Sequence, residues 1–264
     1  MNFHTYDWIM DKVKEHYDEA CTIVPENRII GIFYQGSGNY GLDYEDSDVD
    51  TKCVVIPSLD ELIWGVKMSV THVRENEEHI DFKDIRLMMD TFKKCNMNYL
   101  EILYSQYYII NPMYQELWNE IVSKRDEIIA NCGGSLVKSM VGIAREKFFA
   151  LEHRYPSRMV WIDKFGYDPK QLHHLFRIKE LMYRWRNNEP FERCLVSVEP
   201  DWLISVKKGH YNLDDARRYG QGAMDFIEEM YREMKSDAPP NAEYYKTFDK
   251  VVSRMIKTGI MGEV

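Results

Sequence analysis

The sequence predicts an α+β protein, in which a small mixed β-sheet head backed by helices precedes an all-helical C-terminal part. The short β-rich runs all lie before residue 111. After that residue, nearly all of the chain has its apolar residues at helical spacing. Gly133 and Gly134 interrupt helical sequence near the middle. We therefore expect a head domain at residues 1–131 and a helical domain at residues 132–264.

The first elements follow from apolar spacing and turn residues. Apolar residues at helical spacing predict an amphipathic helix over residues 5–20. Two β-rich runs, at residues 29–34 and 49–56, predict strands bounded by turn formers. Ser58 and Glu61 then form a capping-box signature, which predicts the start of a short helix ending near residue 64.

The rest of the head alternates between strand and helix patterns. Residues 70–76 predict a further strand, and the alternation over residues 79–82 is typical of an edge strand. Residues 85–94 have the apolar face of a helix. Residues 107–110 are β-like, and Pro112 suits the first turn of a helix.

Composition limits the classes of function. With 264 residues and 45% hydrophobic residues, the chain can bury a substantial core. A net charge of -9 argues against a protein whose whole surface binds nucleic acid, although it leaves room for a local basic groove. No basic, apolar leader opens the chain, and no stretch approaches the roughly 20 apolar residues of a membrane span. We expect a cytoplasmic protein without a membrane partner.

The cysteines indicate a reduced compartment and no zinc site. Their number is odd, and no pair has CxxC spacing. They are Cys21, Cys53, Cys95, Cys132 and Cys194.

Asp48 and Asp50 are the first candidates for chemistry. Residues i and i+2 of a strand point to the same face, about 7 Å apart. Two carboxylates placed in this way suit Mg²⁺, which proteins hold through one or two carboxylates plus substrate phosphates. A polar strand start with two solvated aspartates is the alternative.

Asp81, flanked by two apolar residues, is the best candidate for a third carboxylate, and Asp84 is the next.

A glycine-serine turn, Gly36-Ser37, follows the first predicted strand. A turn at this point exposes backbone N–H groups, and glycine lets an anion approach the backbone closely. The pattern therefore favours phosphate binding. An ordinary β-turn is the alternative, because Gly-Ser is a common turn sequence.

These strings together resemble the DNA polymerase beta-like nucleotidyltransferase superfamily. The superfamily pattern is hydrophobic-Gly-Ser, Asp-hydrophobic-Asp and hydrophobic-Asp-hydrophobic, which here reads Tyr34-Gln35-Gly36-Ser37, Asp48-Val49-Asp50 and Ile80-Asp81-Phe82. The chain is most similar to the branch of predicted nucleotidyltransferases associated with RNA repair pathways. The stretches that resemble this branch start at Tyr40, Ile56, Asn96 and Gly166.

The resemblance implies transfer of a nucleoside monophosphate from an NTP to a hydroxyl acceptor, with release of pyrophosphate. It implies two Mg²⁺ ions, with Mn²⁺ as an alternative, and a helical domain that closes over the nucleotide. Asp48 and Asp50 would be the metal ligands, and Asp81 the third carboxylate, nearest the acceptor. Gly36 and Ser37 would hold the β- and γ-phosphates.

One departure from the branch follows the glycine-serine turn. The branch often has an arginine there, whereas this chain has Gly38-Asn39. If that arginine holds phosphate, another cation must replace it here. The acceptor stays open among an RNA end, a protein and a small molecule. The alternative functions are a non-catalytic nucleotide-binding regulatory module and a toxin–antitoxin-type enzyme acting on tRNA or a partner protein.

Lys170, His174 and Arg177 supply the candidate cations. Asp168 and Pro169 predict a helix start, and positions 170, 174 and 177 share one helix face. Such a face suits a triphosphate or an RNA backbone, and a solvated face or an interdomain packing role for His174 is the alternative.

Three other groups of polar residues favour structural roles. Glu101, in an Asn-x-Asn-x-x-Glu pattern, favours a loop-fixing role through side-chain hydrogen bonds over nucleotide contact. Arg145 and Lys147 are typical of a charged helix surface, on a helix expected over residues 136–152. The run Arg184–Arg186 interleaves an aromatic residue with cations, as nucleic-acid surfaces do, but core packing with flanking charges is favoured.

Overall fold

A computed structural model describes residues 3–236 and 238–261. These residues form two compact units. The sheet unit comprises residues 3–39, 43–133 and 240–261, and the helical unit comprises residues 40–42 and 134–239 without residue 237. Within these ranges, no helix is long and apolar enough to span a membrane.

The sheet unit contains one five-stranded mixed sheet. Its strands are β1 (Ile29–Tyr34), β2 (Thr51–Val55), β3 (Ser69–Val73), β4 (His79–Asp84) and β5 (Tyr108–Ile110), in the order β3-β4-β2-β1-β5. β2 and β4 are parallel, and the other neighbouring pairs are antiparallel. The predicted α+β class with a mixed sheet and a helical C-terminal region is therefore confirmed.

Thirteen α-helices occur in the described residues. In chain order they are α1 (Tyr6–Ile23), α2 (Leu59–Ile63), α3 (Ile85–Lys93), α4 (Met97–Leu100), α5 (Gln115–Val122), α6 (Arg125–Ala130), α7 (Ser135–Ala150), α8 (Met159–Phe165), α9 (Pro169–Arg186), α10 (Phe191–Leu195), α11 (Pro200–Lys207), α12 (Leu213–Met234) and α13 (Ala242–Met261).

Helix α1 covers one face of the sheet. Thr5 caps its first turn by accepting a hydrogen bond from Trp8 N. Its apolar stripe packs against alternate residues of β1, β2 and β4, including Cys53 and Phe82. Because side chains alternate along a strand, this packing turns Lys52 of β2 and Asp81 of β4 toward the opposite face.

Strand β4 is not at an edge of the sheet, contrary to the prediction. It lies between β3 and β2. Its residues alternate between buried and partly exposed. α1 buries one face of the strand, while the other face carries polar side chains, so an interior strand shows the alternation that is typical of an edge.

Helix α13 packs within the sheet unit, although the sequence placed residues 240–264 in the helical domain. It contacts α3 and α5. A Cβ added at Gly259 would lie 1.9 Å from Cδ1 of Ile56 and 2.4 Å from the hydroxyl of Tyr114, so this helix lies very close to both. Amphipathic spacing identifies the buried face of a helix but not the element that covers it, and the sequence therefore could not assign α13. The other predicted boundary, near residue 131, lies beside the change from sheet unit to helical unit at Gly133–Gly134.

The helical unit is built around α9. This helix contacts α7, α10, α11 and α12, and its buried residues include Leu172, Leu175 and Met182. The predicted start is confirmed: the Asp168 side chain accepts a hydrogen bond of 2.9 Å from Lys170 N, and Pro169 occupies the first turn. The capping box of Ser58 and Glu61 is likewise present at α2.

Candidate active site

Polar side chains share one face of the two parallel strands β2 and β4. In their register Lys52 lies opposite Asp81. Asp50 precedes Lys52 by two residues and His79 precedes Asp81 by two, so all four side chains point to the same side. The face opposite α1 therefore carries a compact group of charged and polar residues.

Asp48 and Asp50 lie in an extended segment just before β2, rather than within the strand. Gln35 N donates a hydrogen bond of 2.7 Å to the Asp50 carbonyl, which continues the β1–β2 pairing past the end of the ladder. Val49, between the two aspartates, is buried in the core against α1. Asp48 is exposed and Asp50 partly so. The alternation expected for these carboxylates is therefore present.

Asp50 is held by His79 and affected by its burial. Its Oδ1 accepts hydrogen bonds from His79 N at 2.9 Å and lies 3.0 Å from His79 Nδ1. Burial, followed by the neighbouring negative charge of Asp48, raises the pKa of Asp50, while His79 lowers it. A bound cation would relieve the repulsion between the two carboxylates.

Asp81 and Asp84 have different environments, although both lie on β4. Asp81 Oδ1 accepts a hydrogen bond of 3.2 Å from Thr71 Oγ1 on β3, and the side chain stays partly exposed. Asp84 is fully buried, caps α3 by accepting from Arg86 N at 2.7 Å, and pairs with the Arg86 guanidinium. Asp84 therefore has a structural role, and Asp81 is the carboxylate that shares a face with Asp50.

No three His, Cys, Asp or Glu side chains in the described ranges are grouped so that they could hold a metal ion. The donor set nevertheless suits a hard cation, because carboxylate oxygens are what Mg²⁺ prefers and Asp48 and Asp50 repel each other electrostatically. A metal bound here would need further oxygen ligands, and substrate phosphates are the usual source.

The Gly36-Ser37 turn presents backbone donors near these aspartates. Ser37 Oγ lies 3.0 Å from Ser47 Oγ, the residue before Asp48. Gly38 N donates to the Tyr34 hydroxyl at 3.2 Å. In the part of the chain that the structure describes, the N–H groups of Gly36 and Ser37 have no acceptor.

Packing alone also requires glycine at position 36. A Cβ there would lie 2.1 Å from the Tyr34 ring. This glycine is therefore not by itself a sign of phosphate binding, and the two N–H groups without an acceptor are the stronger indication.

Lys52 lies in the candidate site but was not among the residues predicted from the sequence. Only 6% of it is exposed, and its Nζ donates to Gln35 Oε1 and to the Asn98 carbonyl, both at 3.3 Å. The amine also lies 4.1 Å from the centroid of the Tyr99 ring. No carboxylate of the described residues is within ion-pair distance. Burial lowers the pKa of Lys52, although the charges of Asp81 and Glu101 act to raise it.

A sequence signal for Lys52 was available. It follows Asp50 by two residues, so it had to share the face of the aspartates if they faced a site. A lysine inside an otherwise apolar strand is unusual, because lysine is rarely buried.

Glu101 lies beside this lysine. It begins a 3₁₀ turn, Glu101–Tyr104, directly after α4. Its Oε2 is buried without a hydrogen-bond partner, and the structure shows no side-chain hydrogen bond from Glu101 that would fix the loop, among the residues described. Asn96, in the same pattern, caps α4 by accepting from Asn98 N at 3.1 Å.

Lys170, His174 and Arg177 lie on α9 in the helical unit. The Arg177 guanidinium lies 3.8 Å from the centroid of the Tyr40 ring. Burial and the neighbouring charges of His173, Arg177 and Lys170 lower the pKa of His174 well below its usual value. His174 is therefore neutral at neutral pH, and this face offers two cations rather than three.

The other cationic candidates have structural partners. Arg145 pairs with Glu228 at 2.7 Å, and Lys147 with Glu146 at 2.8 Å. Arg184 is buried and donates to Glu189 at 2.8 Å. These contacts agree with the structural roles that the sequence favours for these residues.

No protein-family model matches the chain, and no curated protein matches it.

Proposed function

We propose that the sheet unit transfers a nucleoside monophosphate from an NTP to a hydroxyl acceptor. The observation that supports this most is the placement of Asp50, just before β2, and Asp81, on β4, on one face of the parallel pair β2–β4, with Asp48 near Asp50. The backbone N–H groups of Gly36 and Ser37, which have no acceptor among the described residues, lie in the turn after β1. The contact between Ser37 Oγ and Ser47 Oγ links this turn to the segment that carries Asp48 and Asp50.

Two Mg²⁺ ions, or Mn²⁺, would be held by Asp48 and Asp50 together with phosphate oxygens of the NTP. When bound, such ions stabilise negative charge on the phosphoryl group and on the leaving pyrophosphate. The N–H groups of Gly36 and Ser37 would hold the β- and γ-phosphates. The chain therefore contributes mainly positioning and electrostatics, as in other phosphoryl transfers.

Asp81 would act on the acceptor. Its second carboxylate oxygen has no hydrogen bond to a described residue, and it can accept the proton of the attacking hydroxyl. The new bond joins the acceptor oxygen to the α-phosphorus, and the bond to the β-phosphate oxygen breaks. Lys52 places positive charge beside Asp81.

Incubation of the protein with each α-labelled NTP and Mg²⁺, with total RNA, total protein or neither, tests this function. We expect label to move from one or more NTPs to an acceptor, with release of pyrophosphate. The fraction that carries the label identifies the acceptor as RNA, protein or a small molecule. No transfer with any NTP in any fraction would contradict the proposal.

A non-catalytic nucleotide-binding module is the second candidate. It is favoured by the lack of a three-residue metal cluster among the described residues and by the His79 contacts that already occupy Asp50 Oδ1. In that case the protein would bind an NTP saturably, and the labelled nucleotide would be recovered unchanged.

A further inference from the structure

A cavity lies entirely within the helical unit. Its volume is about 580 Å³, which is within the range of small-molecule sites, roughly 300–1,000 Å³. Residues of α9, α11 and α12 and the segment before α11 line it. Nothing in the proposed transfer uses this cavity.

Four aromatic rings form much of its wall. Phe176 and Trp202 are stacked, with ring centroids 5.1 Å apart and planes 24° apart. Tyr183 and Phe226 form a second pair with centroids 6.1 Å apart. Tyr183 is 50% exposed and Trp202 is 37% exposed, whereas Phe176 is buried, so the first two rings are accessible to a ligand. Flat aromatic ligands stack well on exposed rings of this kind.

Two charged groups at the cavity are not neutralised by another side chain. Lys179 Nζ lies 5.1 Å from the centroid of the Phe226 ring and has no ion pair with a described residue. The Glu199 carboxylate likewise has no hydrogen bond within the described ranges. By contrast, Arg184 is held by Glu189 and Glu180. The cavity therefore offers a ligand one free donor and at least one free acceptor.

Three residues of α9 that line the cavity lie on a different side of the helix from Lys170, His174 and Arg177. Successive residues of an α-helix are about 100° apart. Phe176, Lys179 and Tyr183 are consequently more than about 120° around the helix from the mean direction of those three residues. A ligand held by those three residues would not occupy the cationic face, although Glu180 and Arg184, which also line the cavity, are only about 90° and 50° from it.

We propose that this cavity binds a guanine base. The rings suit a flat heterocycle, Glu199 suits the imino and amino N–H groups of guanine, and Lys179 suits its O6 or N7 acceptors. The carboxylates of Glu180, Glu189 and Glu199 disfavour a phosphate inside the cavity, so the phosphate would lie outside.

The charge of the helical unit is compatible with a nucleotide ligand. Residues 134–239 carry 18 Lys and Arg against 16 Asp and Glu, whereas the rest of the chain carries 16 against 27. The unit thus has a small positive charge in a chain whose net charge is -9. The guanine could belong to a free nucleotide or to a single-stranded nucleic acid.

Calorimetric titration of the full-length protein with guanosine and with uridine tests the proposal. We expect saturable binding of guanosine and at least tenfold weaker binding of uridine, which lacks the amino group. Phe226→Ala should weaken guanosine binding by roughly 5- to 150-fold, the range expected for loss of one base–ring stack. Glu199→Gln should also weaken it, and Glu229→Gln, an exposed change on α12 outside the cavity, should not.

Guanosine monophosphate and a single-stranded hexanucleotide ending in guanosine distinguish the two sources of the base. Tighter binding of the hexanucleotide than of the monophosphate would assign the cavity to a strand, and equal binding would assign it to a free nucleotide. Absence of saturable guanosine binding, equal affinity for uridine, or unchanged affinity in both Phe226→Ala and Glu199→Gln would overturn the proposal. The titration needs no NTP turnover, so its outcome is independent of the proposed transfer.

Discussion

Lys52 shows how much a single residue says about the candidate site. Burying an ammonium group without a carboxylate partner costs free energy. Lys52 nevertheless occupies the middle of the polar face, held by a glutamine oxygen, a carbonyl and an aromatic ring. Charged groups in such costly positions are concentrated at functional sites. We infer that its charge serves the carboxylates beside it rather than the stability of the sheet.

Replacing Lys52 with methionine separates these two roles. Methionine fills a similar volume without a buried charge, so we expect the free energy of unfolding to stay equal or to rise. We expect the rate of nucleotide transfer to fall at least tenfold, which corresponds to about 1.4 kcal/mol of transition-state stabilisation. Urea denaturation and transfer assays on the same preparation measure both. A destabilised variant with wild-type turnover would instead assign Lys52 a structural role.

His173 makes the stability of the protein depend on pH. It is buried and its Nδ1 lies 2.9 Å from the Leu203 carbonyl, to which it donates. Burial lowers the pKa of His173 to about 3, against about 6.5 in an unfolded chain. Below pH 6.5 the unfolded chain therefore binds a proton that the native state does not. Stability is fully present above that pH and falls as pH decreases toward 3, by at most about 1.4 kcal/mol per pH unit.

The variant His173→Asn tests this pH dependence. An asparagine amide can donate to the Leu203 carbonyl but does not titrate in this range. We expect the free energy of unfolding, measured in urea between pH 5 and 7.5, to vary less steeply with pH than in wild type. The difference between the two slopes should correspond to at most about one proton bound on unfolding. An unchanged slope would show that His173 is not responsible.

At the scale of elements, local sequence signals predicted well where helices begin and which segments have helical or strand spacing. The capping box at Ser58 and the Asp168-Pro169 start were both confirmed, because a cap depends only on residues within one turn. The neighbours of an element depend on residues far along the chain. For that reason the prediction that β4 is an edge strand was wrong, and α13 was assigned to the helical domain although it packs within the sheet unit.

Gly259 provides a test of where α13 packs. A methyl group there would overlap Ile56 and Tyr114, so we expect Gly259→Ala to lower the free energy of unfolding by about 1–3 kcal/mol. Gly142 on α7 is the matched control: it is exposed, and an added Cβ meets nothing within 4 Å. Gly142→Ala should raise stability by about 0.5–1 kcal/mol through helix propensity. Thermal denaturation of both variants checks the pair, and a neutral Gly259→Ala would contradict the close packing.

At the scale of the whole molecule, the sequence predicted the class of fold but only part of the candidate site. Asp48, Asp50 and Asp81 could be selected because strand periodicity determines which side chains share a face. Lys52 lies opposite Asp81 through the β2–β4 register, and Glu101 comes near Lys52 through the loop after α4. The sequence specifies neither arrangement. The neutrality of His174 depends on burial among other cations and is likewise not visible in a helix pattern.

Pyrophosphate release by aspartate variants is the most direct test of nucleotide transfer by this chain. The comparison needs wild type, Asp48→Asn, Asp50→Asn and the control Asp46→Asn, which changes an exposed aspartate of the same segment. With Mg²⁺ and the preferred NTP, we expect release by wild type and Asp46→Asn and at least a hundredfold loss in the other two, with all four proteins folded. Full pyrophosphate release by Asp48→Asn or Asp50→Asn would contradict the assignment of these carboxylates to catalysis.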